Sequence, residues 1–296
     1  MPDWFDTHAI SVLNGLAIGS LLFILAVGLS LVFGMMDVLN LAHGAVYLVG
    51  AYVAYALTDD AATWLRFLAA LAGAAVLGGL LGAALAGLTQ PLRARGHLDQ
   101  ALLTLGVGLV LAEGVIVLFG DDVHSVGVPP ALAESVDVLG TSYPTYRLAL
   151  IGIGVALAVA LYLIVERTRL GTLIRATVAD RQMVEALGVD SRKVLFGVFG
   201  AGAALAAVAG VLGGQIYGAR PGLDENVLIL ALVVVVIGGL GSIRGALIGA
   251  LLIGQVESLG RALLPEGAPF LLFGTMAIVL LLRPTGLFGS AIPQRA

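Results

Sequence analysis

Two apolar runs near the start of the chain are separated by the stretch Asp37-Val38-Leu39-Asn40-Leu41-Ala42-His43-Gly44. The run before it, residues 9–33, is long enough to cross a bilayer, and the run after it, residues 41–57, is marginally so. A carboxylate, an amide and an imidazole therefore lie between apolar segments, with no solvated loop to hold them. Such groups cost about 3 kcal/mol each at membrane depth, so they usually face a protein interior or a water-filled path. This break is where the sequence predicts function.

The composition is typical of a polytopic membrane protein. Of the 296 residues, 59% are hydrophobic and 11% are charged, whereas a soluble domain is about 25% charged. Apolar runs of about 18 residues or more recur along the whole chain, and each is long enough to cross a hydrocarbon core of about 30 Å. We therefore predict an all-α, polytopic transmembrane helical bundle that occupies residues 1–296 as a single domain. The chain has no cysteine, which excludes disulfides, thiolate catalysis and cysteine-based metal sites.

Hydropathy and helix breakers divide the chain into apolar segments near residues 9–33, 41–58, 64–88, 98–120, 147–166, 194–216, 226–240, 245–263 and 269–283. The segments 226–240 and 245–263 are either two short spans or one long span with a re-entrant turn, and periodicity does not decide between them. We therefore expect eight to ten crossings, with a broken second span.

Basic residues set the expected orientation, because loops rich in arginine and lysine stay in the cytoplasm. The segment 166–193 carries many of them, whereas residues 1–8, the turn at Asp59-Asp60 and the loop 121–146 carry none. The expected topology has the N-terminus outside and the C-terminus in the cytoplasm. This requires an odd number of crossings and favours nine. The loop 121–146 would then be external, as a cap or docking surface or as a solvated connector.

The break predicts a helix that starts at mid-depth, with Asp37 or Asn40 as its N-cap. Such a helix start points unpaired N–H groups and a positive dipole end into the protein, where transporters use them to meet an anionic substrate group. Asn40, His43 and Tyr47 fall on one helical face, and Gly44 allows close approach. Two interpretations stay open: these residues line a substrate path, or they form a structural polar cluster. We expect no metal site, because no second histidine or carboxylate lies at ligand spacing.

A second feature is the basic segment 167–193. Within it, residues 175–187 are predicted to form a short amphipathic helix that ends at Gly188. On the cytoplasmic side, such a helix is either held by a partner protein or lies in the lipid interface. The residues by themselves favour neither alternative.

Small residues spaced four apart predict close helix packing. They occur in three rows: Gly78 and Gly82; Gly210 and Gly214; Gly241, Gly245 and Gly249. A glycine-rich turn is a candidate for packing and gating through Gly238, Gly239, Gly241, Ser242 and Gly245. Polar residues within or at the ends of apolar runs are expected to make interhelical hydrogen bonds: Glu113, Gln215, Gln255 and Glu257.

The sequence contains no nucleotide-binding pattern, no Ser-His-Asp or HExxH arrangement and no nucleic-acid-binding motif. We therefore expect a transporter without cofactors rather than an enzyme. If ATP drives transport, the ATPase must be another polypeptide.

Together these residues resemble the LivH-type membrane permease of branched-chain amino acid ABC importers. The resemblance runs in order along nearly the whole chain through Asn40-Leu41-Ala42-His43-Gly44, Gly50-Ala51-Tyr52, the stretch 238–245 and the closing Arg283-Pro284-x-Gly286-Leu287-Phe288-Gly289. It implies a type II-like importer permease of the inner membrane. The implied partners are an M-type permease, two ATP-binding subunits and an external substrate-binding protein.

The resemblance also implies a role for the segment 167–193 as the coupling loop that docks into the ATPase. The residues implied are Ala179, Asp180, Glu185, Ala186 and Gly188. The expected substrate is a branched-chain amino acid. Two alternatives stay open: a permease of the same superfamily for urea, short amides or other small polar solutes, and an ion-coupled secondary transporter.

Overall fold

The computed structural model describes residues 2–36, 40–59, 61–94, 96–138 and 140–289. Most of this part of the chain is helical. Its α-helices, in chain order, are α1 Pro2–Met36, α2 His43–Thr58, α3 Trp64–Thr89, α4 His97–Phe119, α5 Pro130–Ala133, α6 Thr145–Arg167, α7 Arg169–Ala179, α8 Arg181–Ala186, α9 Ser191–Tyr217, α10 Leu223–Gly238, α11 Ile243–Leu263 and α12 Ala268–Leu282. Short 3₁₀ turns follow α3 and precede α12.

Within the described ranges, seven segments are long and apolar enough to cross a membrane, and they correspond to α1, α3, α4, α6, α9, α11 and α12. Helices α2 and α10 have 16 residues each, fewer than the roughly 20 of a full span. These helices correspond one to one with the predicted apolar segments, which confirms the polytopic helical bundle. The chain turns back between α10 and α11, and of these two helices only α11 is long enough for a full span. The choice between two short spans and one long span with a re-entrant turn therefore stays a prediction.

Helices α1, α2 and α9 form the centre of the bundle. Helix α1 packs along α11, α9 and α6, and α9 packs along α3, α2 and α1. The spanning part of α1 is 78% buried, whereas that of α4 and α6 is 17% buried and that of α12 is 6% buried. Helices α4, α6 and α12 therefore lie at the periphery, with apolar faces available to lipid or to other membrane subunits.

Glycines bring the central helices into backbone contact. A Cβ atom added to Gly210 of α9 would lie 1.9 Å from the carbonyl oxygen of Tyr47, and one added to Gly50 of α2 would lie 2.0 Å from that of Ala207. Only a residue without a side chain fits at such positions. The close packing of α2 against α9 therefore requires glycine at these positions.

The bundle has two polar ends. Its "hairpin end" contains the segment between α4 and α6, in which β1 (Ser135–Val138) pairs antiparallel with β2 (Thr141–Pro144). These two strands were not expected from the sequence. Val126, Val128 and Tyr143 of this segment are buried, so it packs on the bundle, although most of its other described residues are exposed. The opposite "arginine-rich end" contains α7 and α8.

The close approach of α2 and α9 is tested by adding one methyl group to Gly210. We expect Gly210→Ala to destabilise the protein by about 2 kcal/mol or more, because the packed core cannot accept the added Cβ without backbone shifts. Gly106→Ala in α4 is the matched control, since nothing lies within 4 Å of its added Cβ. Thermal unfolding in detergent measures both variants. Equal melting temperatures would contradict the backbone contact.

Candidate functional site

Helix α2 begins inside the bundle. Nε2 of His43, its first residue, donates a hydrogen bond of 3.0 Å to the carbonyl oxygen of Leu25 in α1. Leu25 lies 11 residues before Met36, the last residue of α1, which corresponds to about 16 Å along a helix. The second span is therefore broken as predicted, and its helix starts about 16 Å in from the arginine-rich end.

The start of α2 has no side-chain cap. Its N-cap residue is Ala42, and no side chain accepts a hydrogen bond from the first turn. The prediction of Asn40 as the N-cap is wrong, because both polar atoms of its side chain lack a hydrogen-bond partner. The N–H of Leu41 instead donates to Oγ1 of Thr104 in α4 over 3.1 Å, which ties the chain to α4 just before the helix. The other predicted cap, Asp37, lies outside the described residues.

The residues predicted on one face of α2 all lie in the protein interior, and Asn40 and His43 are each only 1% exposed. His43 contacts α1. Gly44 contacts α10, since a Cβ added there would lie 2.3 Å from the carbonyl oxygen of Asp224. Tyr47 points its hydroxyl at Gly213 of α9. Other helices of the same chain thus surround this face, and a contact of its residues with substrate stays a prediction.

Several buried polar atoms at this site have no hydrogen-bond partner: both amide atoms of Asn40, Nδ1 of His43 and the hydroxyl of Tyr47. A buried polar group left in this state costs about 1–3 kcal/mol. The uncapped start of α2 adds free N–H groups and the positive end of the helix dipole. The arrangement can therefore offer donors, an acceptor and a partial positive charge to a small polar ligand.

At the arginine-rich end, α7 and α8 form an elbow, here defined as residues 168–188. The single helix predicted over residues 175–187 is wrong, because Asp180 interrupts it. Its backbone is extended, and its side chain caps α8 by accepting a hydrogen bond from the N–H of Met183. Asp competes with helical backbone in this way and so favours helix starts. Gly188, with φ +84°, ends the elbow as predicted, while Ala179 and Ala186 are the last residues of α7 and α8.

Polar contacts fasten the elbow to α6 and α9, and a further contact links α6 to α11. Arg175 of α7 pairs with Oε2 of Glu166 in α6 at 3.0 Å, and Arg244 of α11 approaches Oε1 of the same carboxylate at 3.4 Å. Glu185 of α8 accepts a hydrogen bond from Ser191 at the start of α9. Partly exposed pairs such as these add little stability, so their effect is to set the position of the elbow. Nothing in the local sequence around Glu166 and Arg244 indicates their pairing, because it joins distant parts of the chain.

The elbow also exposes apolar side chains, namely Leu170, Val178, Met183 and Leu187. Exposed apolar groups next to basic residues suit either a protein partner or a lipid surface. Both alternatives left open by the sequence therefore remain compatible with the geometry.

The turn between α10 and α11 is densely packed. Gly239 and Gly241 have positive φ angles of +100° and +79°, and Ser242 caps α11 by accepting a hydrogen bond from the N–H of Gly245. A Cβ added to Gly245 would lie 2.1 Å from the carbonyl oxygen of Gly238. Backbone N–H groups of residues 287 and 288 donate to the carbonyl groups of residues 237 and 238, so the closing segment covers the turn. A gating role for this turn stays a prediction.

The polar residues of the apolar runs differ in their contacts. Gln255 donates from α11 to the carbonyl oxygen of Val12 in α1 over 3.0 Å, which confirms an interhelical bond. Glu257 instead pairs within its own helix, with Arg261. Glu113 and Gln215 are exposed. In the part of the chain that the structure describes, no group of histidine and carboxylate side chains is arranged to hold a metal ion.

A family model described as "Branched-chain amino acid transport system / permease component" matches residues 11–281. The chain belongs to this permease family. The permease is 33% identical over 305 residues to BraD, the high-affinity branched-chain amino acid transport system permease protein of Pseudomonas aeruginosa, with 98% of each chain covered. It is also 33% identical over 304 residues to LivH of Escherichia coli, again with 98% of each chain covered.

A more distant likeness is to the permease LivM of Escherichia coli, at 28% identity over 92% of this chain and 68% of that protein. The family match and the identity to BraD and LivH confirm the resemblance to LivH-type permeases. The permease is a multi-pass membrane protein and a transport subunit, not an enzyme.

Proposed function

We propose that the permease forms part of the membrane path of an ATP-driven importer for branched-chain amino acids. The identity of 33% to BraD and to LivH along 98% of the chain carries this proposal, because both relatives are named for branched-chain amino acid transport. The complex contains an M-type permease, two ATP-binding subunits and an external substrate-binding protein. The likeness to LivM supports a pair of related permeases.

The orientation that we propose has the N-terminus outside the inner membrane and the C-terminus in the cytoplasm. The arginine-rich end carries many basic side chains, among them Arg167, Arg169, Arg175, Arg192, Lys193 and Arg244. The hairpin end carries fewer, namely Arg66, Arg147, Arg220 and Arg261. Since basic residues are retained in the cytoplasm, the elbow faces the ATP-binding subunits and the hairpin faces the binding protein.

The substrate panel that tests this function consists of labelled leucine, urea and acetamide, offered to the complete complex in vesicles. We expect ATP-dependent uptake of leucine in preference to the other two, because both named relatives carry branched-chain amino acids. Preferential uptake of urea or acetamide would contradict the substrate assignment. Uptake by the permease alone that an ionophore abolishes would indicate a secondary transporter instead.

Within the path, Asn40 and the uncapped start of α2 contact the charged groups of the amino acid. We predict the same role for Asp37. The buried, unpaired amide of Asn40 supports this role, since it can donate to a carboxylate and accept from an ammonium group. His43, Gly44 and Tyr47 hold α2 against its neighbouring helices, so they shape the path. Weak contacts suffice, because the external binding protein selects the substrate.

Replacing Asn40 tests this assignment. We expect Asn40→Leu to lower the initial rate of leucine uptake about tenfold, equivalent to about 1.4 kcal/mol, while the complex still assembles. His43→Leu should also lower uptake, because α2 loses its bond to Leu25. The matched control is Gln215→Leu, the same loss of an amide at an exposed position of α9, with unchanged uptake. Normal uptake by Asn40→Leu would favour a structural polar cluster.

The elbow, with its coupling residues Ala179, Asp180, Glu185, Ala186 and Gly188, docks into the ATP-binding subunits. Two features support this role: its exposed apolar side chains and its contacts with α6 and α9, where Glu166 of α6 also reaches Arg244 of α11. When an ATP-binding subunit moves the elbow, these contacts pass the movement to three helices of the bundle. A helix that only rests on lipid would not need them.

Replacing Gly188 tests the coupling. We expect Gly188→Val to raise the number of ATP molecules hydrolysed per leucine imported severalfold, because valine at φ +84° strains the backbone by about 1–2 kcal/mol and re-aims the elbow. Gly120→Val is the matched control: its φ is +89°, nothing lies within 4 Å of either added Cβ, and Gly120 lies at the hairpin end. Equal ratios for the two variants would contradict the docking role.

A further inference from the structure

A cavity of about 550 Å³ opens at the hairpin end, between α10, α11 and α12. Its size is within the range of small-molecule sites, which are mostly apolar with a few placed polar groups. Its polar lining consists of Tyr217, Arg220, Asn226, Glu257 and Arg261, and leucine, isoleucine, valine, proline, alanine and phenylalanine side chains line the rest. Neither the sequence motifs nor the family match assigns a role to this cavity.

Glu257 is a buried carboxylate in the lining of the cavity. Its side chain is only 5% exposed. Oε1 accepts a hydrogen bond of 2.6 Å from Arg261, whereas Oε2 is buried and has no partner. Buried carboxylate oxygens are normally paired. Oε2 of Glu257 is therefore an unsatisfied acceptor on a residue that lines the cavity.

A positively charged side chain also lines the cavity. Arg220 follows α9 with its side chain exposed, and no ion pair involves it in the described part of the chain. A guanidinium group binds a carboxylate through two parallel hydrogen bonds. The buried hydroxyl of Tyr217, which also lacks a partner, adds a further hydrogen-bonding group to the cavity.

We propose that this cavity is a binding site for a zwitterionic aliphatic amino acid. The ammonium group pairs with Oε2 of Glu257, the carboxylate pairs with Arg220, and the aliphatic side chain packs on the apolar lining. The identity of the amino acid rests on the proposed function. With the hairpin end outside, the site receives substrate from the binding protein before it reaches the start of α2. Helix α10 separates the two sites, since Gly44 contacts its residues 224 and 228 and the cavity lies on another face.

Thiol labelling tests this site without relying on transport. Because the chain has no cysteine, Asn226→Cys gives this subunit a single thiol on the cavity wall. We expect saturating leucine to slow its reaction with a charged methanethiosulfonate reagent about tenfold in the assembled complex, with a concentration dependence that follows occupancy. Ser135→Cys, exposed on β1 outside the cavity, is the matched control and should react at the same rate with or without leucine.

Two leucine analogues test the charges separately. We expect 4-methylpentanoate, which lacks the ammonium group, and 3-methylbutylamine, which lacks the carboxylate, each to protect Asn226→Cys less than leucine does. Adding Glu257→Gln should reduce protection by leucine to the level of 4-methylpentanoate. Glu113→Gln, the same change at an exposed carboxylate of α4, should leave it unchanged. Equal protection by all three compounds would contradict recognition of a zwitterion.

The two proposals fail in different ways. Unprotected labelling, or no labelling of Asn226→Cys at all, would overturn the cavity site even when the complex imports leucine with ATP. A complex that imports only another solute would overturn the proposed function, whatever the labelling pattern. Protection by leucine together with ATP-dependent leucine uptake would support both.

Discussion

Helix α2 starts inside the bundle because its neighbours come into backbone contact with it. Its polar first turn is enclosed by α1, α4, α9 and α10, and the glycines at positions 44, 50 and 210 leave no room for a Cβ. In a membrane, unpaired backbone is tolerated only where protein or a water-filled cavity covers it. The glycine contacts provide this cover, so the broken span, the tether from His43 to Leu25 and the placement of Asn40 all depend on them.

Two further features extend from this centre towards the two ends of the bundle. The elbow is fastened to α6 through Glu166 and to α9 through Glu185, and Glu166 also links α6 to α11. Helices α9 and α11 both pack on α1. At the other end, the cavity with Glu257 lies against α10, which also contacts the start of α2. A movement of the elbow can therefore change the spacing of the helices that surround both polar sites, which is what an ATP-driven permease requires.

The outer helices and the buried polar groups of the bundle differ in what covers them. The peripheral helices α4, α6 and α12 keep largely exposed apolar faces, as expected where lipid or a second permease covers them. The unpaired polar atoms of Asn40 and Glu257 are instead buried within the bundle. In the importer that we propose, the binding protein supplies the affinity for substrate outside the membrane, so these few groups would need to bind the amino acid only weakly and release it again.

The sequence by itself determined the membrane-spanning class, the apolar segments, the break before His43 and the stop at Gly188, because hydropathy, capping and glycine geometry are local properties. It did not determine that Ala42 rather than Asn40 precedes α2, that Asp180 divides the elbow, or that Glu166 links Arg175 to Arg244. It also did not bring Glu257 and Arg220 to one cavity. These features depend on contacts between residues far apart in the chain, and only tertiary packing decides which polar groups are paired and which stay free.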